Sequence, residues 1–291
     1  MLTIIIYTIC IIGLVIAAIT DIKTREVPDW LNFSLISAGL GLNLLFTVML
    51  HDFRYIIDSV AGFLAFFIIA MIMFYTGQWG GGDSKILMGL GALLGLDLSL
   101  RRTVLIDFVI NCLIVGAVYG LLWSCVLTIK KWKGVVKEAK RISRSKKIIV
   151  WKKILFLFVL IIILLILLKQ DLITRFFLLS LLILSIATFY LGVYIKAVEK
   201  SAMLKYVTPN KLTEGDWIAR DVVVNRKRIC GPKDLGISRE QIKELVSLYR
   251  KKRLKKVLIK EGIPFVPSFL IAFIVTLIVG NLLILVLSQS V

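Results

Sequence analysis

Two aspartates stand where apolar stretches meet polar sequence: Asp21 in Thr20-Asp21-Ile22-Lys23-Thr24-Arg25, and Asp83 in Gly80-Gly81-Gly82-Asp83-Ser84-Lys85. An ionisable side chain at a membrane boundary is costly unless it has a partner or a task. Two carboxylates a few ångströms apart cannot both ionise readily, so one keeps its proton while the other is an anion. The anion can take a proton from water as that water attacks a peptide carbonyl. The neutral acid can donate to the carbonyl oxygen and then help the amine leave. The chemistry within reach is therefore peptide hydrolysis by a carboxylate pair. Such a pair titrates as a unit, and the proton belongs to both members.

The remaining residues narrow the choice. His51 is the single histidine and falls in a loop on the opposite face, so a Ser-His or Cys-His nucleophile is untenable and no H-E-x-x-H helix exists. Cys10, Cys112, Cys125 and Cys230 are isolated, without C-x-x-C spacing. Neither a zinc site nor a disulfide framework is supported, and no metal or cofactor is expected.

The elements that must hold the aspartates are membrane helices. The chain is 59% hydrophobic with a mean hydropathy of +0.92, far above a soluble domain of this length. Stretches long enough to cross roughly 30 Å of hydrocarbon fall near 2–20, 31–50, 58–77, 84–99, 103–129, 150–169, 172–196 and 263–289. The expected fold class is an all-α polytopic membrane protein of about eight transmembrane helices, with a small α/β cytoplasmic insertion. The first stretch lacks a basic leading region and a small-residue cleavage site, and is read as a retained helix.

Charge orients the helices. Loop 130–149 carries nine Lys and Arg against the single acid Glu138, so it belongs inside by the positive-inside rule. Parity then puts 21–30, 78–83 and 197–262 inside, and 51–57, 100–102, 170–171 and both termini outside. Arg101 and Arg102 on the outer side disagree weakly. The net charge of +19 is concentrated in these juxtamembrane segments, where anionic lipid attracts it. Membrane lipid is the expected partner, and no nucleic acid.

Asp21 closes the first span and Asp83 opens the fourth, at one face. Small residues favour helix contact in lipid, and the fourth span offers Gly89, Gly91, Ala92 and Gly95 to Gly13, Ala17 and Ala18 of the first. Gly80, Gly81 and Gly82 let a substrate strand approach closely. A helix beginning near Asp83 sets its positive end beside the anion. Glu26 and Asp29 are candidates to attract a basic substrate, or are solvated loop charges. Taken singly, each feature has a plainer role as cap, boundary residue or turn. Trp79 is read as an interfacial anchor rather than a substrate contact, and Asp107 with Asn111 as an interhelical hydrogen-bonding pair or as boundary residues, not catalysts.

At these residues the chain resembles the GxGD aspartyl proteases, and most closely the type IV prepilin peptidases, including the archaeal preflagellin (prearchaellin) peptidases. Gly80-Gly81-Gly82-Asp83 matches the G-x-G-D signature, and Ser84-Lys85-Ile86-Leu87-Met88-Gly89 resembles the small apolar helix that follows it. Asp21 through Asn32 resembles the other box, in which the first aspartate is followed by an Arg and then a Pro opening the second helix. The clear match covers roughly the first hundred residues, with a second patch at 261–267 resembling the approach to the last helix of archaeal members. Bacterial members often add an N-terminal domain with paired C-x-x-C motifs and a methyltransferase activity; neither motif nor domain is found here, which favours an archaeal type. The resemblance implies Asp21 and Asp83 as catalytic residues. It also implies a preprotein substrate with a short basic leader before a hydrophobic helix, cut at the cytoplasmic boundary of the plasma membrane.

The expected organisation is a core over 1–130 with both aspartate boxes, a basic loop over 131–149, a helix pair over 150–196, a cytoplasmic α/β unit over 197–262 and a final helix over 263–291. Within the α/β unit, 217–224 reads as a strand, Ser238-Arg239-Glu240-Gln241 as a capping box opening a helix to about 251, and 256–260 as a second strand. Two rivals stand beside hydrolysis. One is a proton- or cation-coupled transporter, which predicts repeats and polar groups near midplane. The other is an inactive pilus-assembly scaffold. The preprotein and the oligomeric state stay open.

Overall fold

A computed structural model of the chain describes residues 2–98, 103–224 and 227–288. Arg101 and Arg102, which disagreed with the charge-based orientation, lie outside the described residues. Helices dominate: α1 (Leu2–Thr24), α2 (Asp29–Leu50), α3 (Arg54–Tyr75), α4 (Gly81–Leu94), α5 (Val104–Lys130), α6 (Trp132–Ser143), α7 (Lys146–Leu168), α8 (Leu172–Val198), α9 (Arg239–Arg250), α10 (Val266–Val279) and α11 (Leu282–Ser288). Among the described residues, α1, α2, α3, α5, α7 and α8 are each long and apolar enough to cross a membrane, and α10 and α11, bent by 48° to each other, pass the same test only when taken together. The fold is thus the expected multi-pass helical one.

Two expected spans take a different form. The stretch 84–99 yields the 14-residue α4, about 21 Å at 1.5 Å per residue and short of the hydrocarbon thickness. It ends where Gly95 adopts a φ of 68° and the Leu96 N–H turns to the Asp58 carbonyl at 2.8 Å. The stretch 263–289 breaks at Gly280, whose φ of 76° no ordinary L-residue holds cheaply. Side chains meet the backbone groups freed there. Asn111 donates to the Gly280 carbonyl at 2.7 Å and to Thr276 at 2.9 Å, and accepts from the Leu282 N–H at 3.0 Å. Asn281 donates to Asp107 at 2.8 Å. Asp107 and Asn111 are therefore interhelical ties, as their shared helix face suggested.

Short α4 is the centre of the bundle. Ser84 and all residues from Ile86 to Leu93 are buried, enclosed by α2 and α3 with α1, α5 and α10 beyond. Lipid supplies no hydrophobic drive between helices, so close packing and polar ties must hold them. A Cβ on Gly62 of α3 would strike the Gly91 carbonyl of α4, and one on Gly39 of α2 would meet Ala92 at 2.7 Å. Asn43 of α2 and Ser59 of α3 both donate to the Ala92 carbonyl, at 3.1 and 2.6 Å. The small residues of α4 thus serve mainly α2 and α3, whereas Gly13 of α1 receives Leu35 of α2. A cluster containing Leu14, Leu90, Phe108, Phe269 and Phe273 fills the space between α1, α4, α5 and α10.

The stretch 131–149, expected as a loop, contains helix α6. Its apolar stripe, with Val135 and Ile142 buried, packs on Val193, Ala197 and Val198 of α8, leaving its lysines outward. After a π-helical turn at Glu199–Met203, the described residues form the short strands β1 (Leu204–Val207), β2 (Trp217–Ile218), β3 (Val222–Val224), β4 (Lys227–Cys230) and β5 (Val257–Lys260). β1 and β2 flank β5, both antiparallel to it, and β3 pairs with β4. The expected strand 217–224 is divided between the two sheets. Its last bond to β5 is from the Ala219 N–H to the Leu258 carbonyl, after which Asp221 turns to Arg228 at 2.8 Å. Ser238 and Gln241 form the expected capping box on α9, whose Leu245 is fully buried over the sheets.

Candidate active site

Each aspartate is fixed by the N-terminus of a helix. Asp83 sits in the first turn of α4, where its Oδ2 accepts from the Gly80 N–H at 3.1 Å. Asp21 lies in the last turn of α1, nearly inaccessible at 5% exposure, and its Oδ2 accepts from the Val266 N–H at 3.0 Å, in the first turn of α10. Unpaired N–H groups and the aligned dipoles at a helix start favour negative charge. Both carboxylates thus occupy anion-stabilising positions at the same end of the bundle, close enough to feel each other's charge.

Local geometry brings the two boxes together. α1 stops because Arg25 adopts a φ of 63°, its N–H returning to the Asp21 carbonyl at 2.9 Å. Val27 then turns inward and packs on Gly82, where a Cβ would lie 3.1 Å from the Val27 nitrogen. Gly82 is a contact between the boxes; Gly80 supplies the N–H for Asp83, and Gly81 is exposed at the start of α4. Asp29 pairs with Lys85 at 2.6 Å, tying α2 to α4. Glu26 is exposed.

Aromatic rings wall the site. Trp79 lies 6.4 Å from Phe265 and 5.5 Å from Phe269, centroid to centroid, and Tyr119 of α5 meets Phe265 edge-on at 6.5 Å. The Arg25 guanidinium sits 5.4 Å over Trp123. Behind Trp79 and Phe265, an apolar cavity of about 160 Å³ runs between α3, α4 and α5, lined also by Met73, Leu87 and Cys112. Trp79 is thus part of the site's wall as well as a residue at the bundle's end.

The α/β unit reaches the same place. Trp217 lays its ring against Gly77, in the loop that leads to the glycines. Next to it, burial raises the Asp216 carboxyl above its ordinary value, and the charges of Glu26 and Glu261 add to the rise while hydrogen bonds from Thr213 oppose it. Asp216, Trp217 and the Val266 N–H were not singled out from sequence. Trp217 opens a stretch that reads only as a strand, Asp216 precedes it in a segment without a motif, and a backbone donor has no residue signature.

Residues 8–127 match the type IV leader peptidase family. The chain is 45% identical over 83 residues to the preflagellin peptidase of Methanocaldococcus jannaschii, covering 28% of this chain and 35% of that protein. It is 43% identical over 88 residues to the preflagellin peptidase of Methanococcus voltae, covering 30% and 37%. It is 33% identical over 129 residues to the prepilin leader peptidase/N-methyltransferase of Pectobacterium carotovorum subsp. carotovorum, covering 43% and 40%. The chain therefore spans less than half the length of these relatives. The matched region holds both aspartates, most of α1, all of α2 to α4 and most of α5, and over residues 8–127 the chain is similar to the type IV leader peptidase family.

Proposed function

We propose that the protein is a membrane aspartic endopeptidase that removes a short basic leader from pilin-like or archaellin-like preproteins, with Asp21 and Asp83 as its acid–base pair. The observation that carries this reading is the placement of two mutually interacting carboxylates, each on a helix N-terminus, at one end of a helical bundle. The ionised member takes a proton from water as the water oxygen bonds to the scissile carbonyl carbon. The protonated member gives its proton to the carbonyl oxygen, and collapse of the tetrahedral species expels the amine, which is protonated as it leaves. Gly80, Gly81 and Gly82 border the path of the substrate backbone.

The basic leader lies on the cytoplasmic side, drawn by Glu26 and Asp216. Asp29 and Glu261 contribute less to that attraction, since Lys85 and Lys205 already balance their charges. The hydrophobic helix of the substrate enters from the bilayer past Trp79 and Phe265. By charge distribution this end of the bundle faces the cytoplasm, and with short α4 and the α10–α11 pair each counted as a crossing, eight in all, both chain ends lie outside. The catalytic core is 1–130, with the helix pair 150–196, the α/β unit 197–262 and the final helix 263–291 arranged around it.

The test is cleavage of a tagged preprotein with a basic leader by the purified protein in detergent. Wild type is expected to release the leader, and Asp21→Asn and Asp83→Asn to lose at least about a thousandfold in rate, the scale at which acid–base groups acting as a unit fail. Undiminished cleavage by either variant rejects the assignment.

A further inference from the structure

A second cavity, of about 470 Å³, lies where α6, α7 and α8 converge, and shares no lining residue with the candidate active site. It is lined by Arg141 and Ile142 from the end of α6, Ser145, Lys147 and Ile148 at the start of α7, and Lys196 and Lys200 at the end of α8 and just beyond. Four cations and no carboxylate line it. Arg141 has a partner on its own helix, Glu138 at 3.3 Å. Among the described residues, Lys147, Lys196 and Lys200 have no ion pair.

The convergence is built into the fold. Val135 and Ile142 anchor α6 on α8, and the Lys152 ammonium donates to Ser143 at 2.5 Å, tying α7 to the end of α6. Like charges gathered from three helices repel one another unless an anion joins them. The cations stand at the first turn of α7 and the last turn of α8, the depth at which lipid headgroups meet an apolar span. Within two turns of these lysines on the same helices, Trp151 and Ile154 of α7 and Leu191 and Ile195 of α8 are exposed apolar side chains.

We propose that this cavity binds the phosphate-bearing headgroup of an anionic membrane lipid, held by Lys147, Lys196 and Lys200 with Arg141, while the acyl chains lie along α7 and α8. Basic pockets between membrane helices on the cytoplasmic side bind such headgroups by charge. Free phosphate offers the same charge but no use for the apolar flank, which is why lipid is the favoured source. The inference does not depend on the proteolytic reading.

Native mass spectrometry of the purified full-length protein, titrated with phosphatidylglycerol or phosphatidylcholine, tests it. The triple variant Lys147→Gln/Lys196→Gln/Lys200→Gln changes exposed side chains of similar length. Lys251→Gln/Lys252→Gln/Arg253→Gln, beyond α9, removes the same charge elsewhere. At roughly fivefold per lysine near an anionic surface, the first triple is expected to weaken phosphatidylglycerol binding about a hundredfold, and the second to leave it near the wild-type value. Phosphatidylcholine affinity and elution volume on gel filtration should be alike in all three proteins. Equal losses in the two triples, unchanged binding in the first, or displacement of the lipid by millimolar inorganic phosphate overturns the proposal.

Discussion

At the scale of single residues, the site depends on where each polar group finds a partner. Asp21 and Asp83 stand out in the sequence as candidates because an acid at a hydrophobic boundary is rare and costly. Their anchors do not, since the Gly80 and Val266 N–H groups belong to the backbone. Asn32 shows the reverse case. It is fully buried in α2, and among the described residues neither its Oδ1 nor its Nδ2 has a hydrogen-bond partner. A buried unsatisfied amide costs about 1–3 kcal/mol, so Asn32→Leu is expected to leave the melting temperature in detergent unchanged or higher; a fall of several degrees would show that the amide has a role in the fold. Asp216 gives a pH-dependent expectation. Its carboxyl is raised first by burial and then by Glu26 and Glu261, so the folded state binds its proton more tightly than the unfolded chain does. That stability is present at low pH and is lost as pH rises through the raised value. Asp216→Asn should therefore melt higher than wild type at pH 8, with the difference shrinking toward pH 4, and a constant difference across that range would contradict the burial argument.

Among the elements, α4 carries the most consequence for the least length. Its glycines were legible as contact residues, but sequence favoured α1 as their partner and the structure gives them mainly to α2 and α3. Spacing alone cannot name which neighbour a small residue admits. Gly62 and Gly91 press backbone on backbone, so Gly62→Ala must move a helix; overpacking of this kind costs about 1–3 kcal/mol. Thermal unfolding in detergent should record a lower midpoint for Gly62→Ala, whereas Gly120→Ala, with open space around its Cβ position, should match wild type. The break between α10 and α11 was not visible in the hydropathy of 263–289, because every residue flanking Gly280 is apolar or neutral. The capping box of α9 was visible, because Ser238 and Gln241 bond only to local backbone and need no tertiary partner.

For the whole molecule, the α/β unit touches the end of the bundle that carries the aspartates. Trp217 is the contact that shows it, lying on Gly77 three residues before Gly80. Sequence marked 197–262 as a separate unit but gave no sign of where it sits, since docking is a property of surfaces that no local pattern encodes. If the unit shapes the substrate path, Trp217→Ala should raise the KM for a basic-leader preprotein by about two- to fivefold, the effect of roughly 0.5–1 kcal/mol, with kcat nearly unchanged. A fall in kcat at constant KM would place its effect on the aspartates instead. The central claim is that Asp21 and Asp83 act as one unit, and kcat/KM for preprotein cleavage by Asp21→Asn, Asp83→Asn and the double variant tests it most directly. Groups that act together lose their contribution once, so the double variant should be no slower than the slower single variant; losses that multiply would contradict a shared acid–base pair.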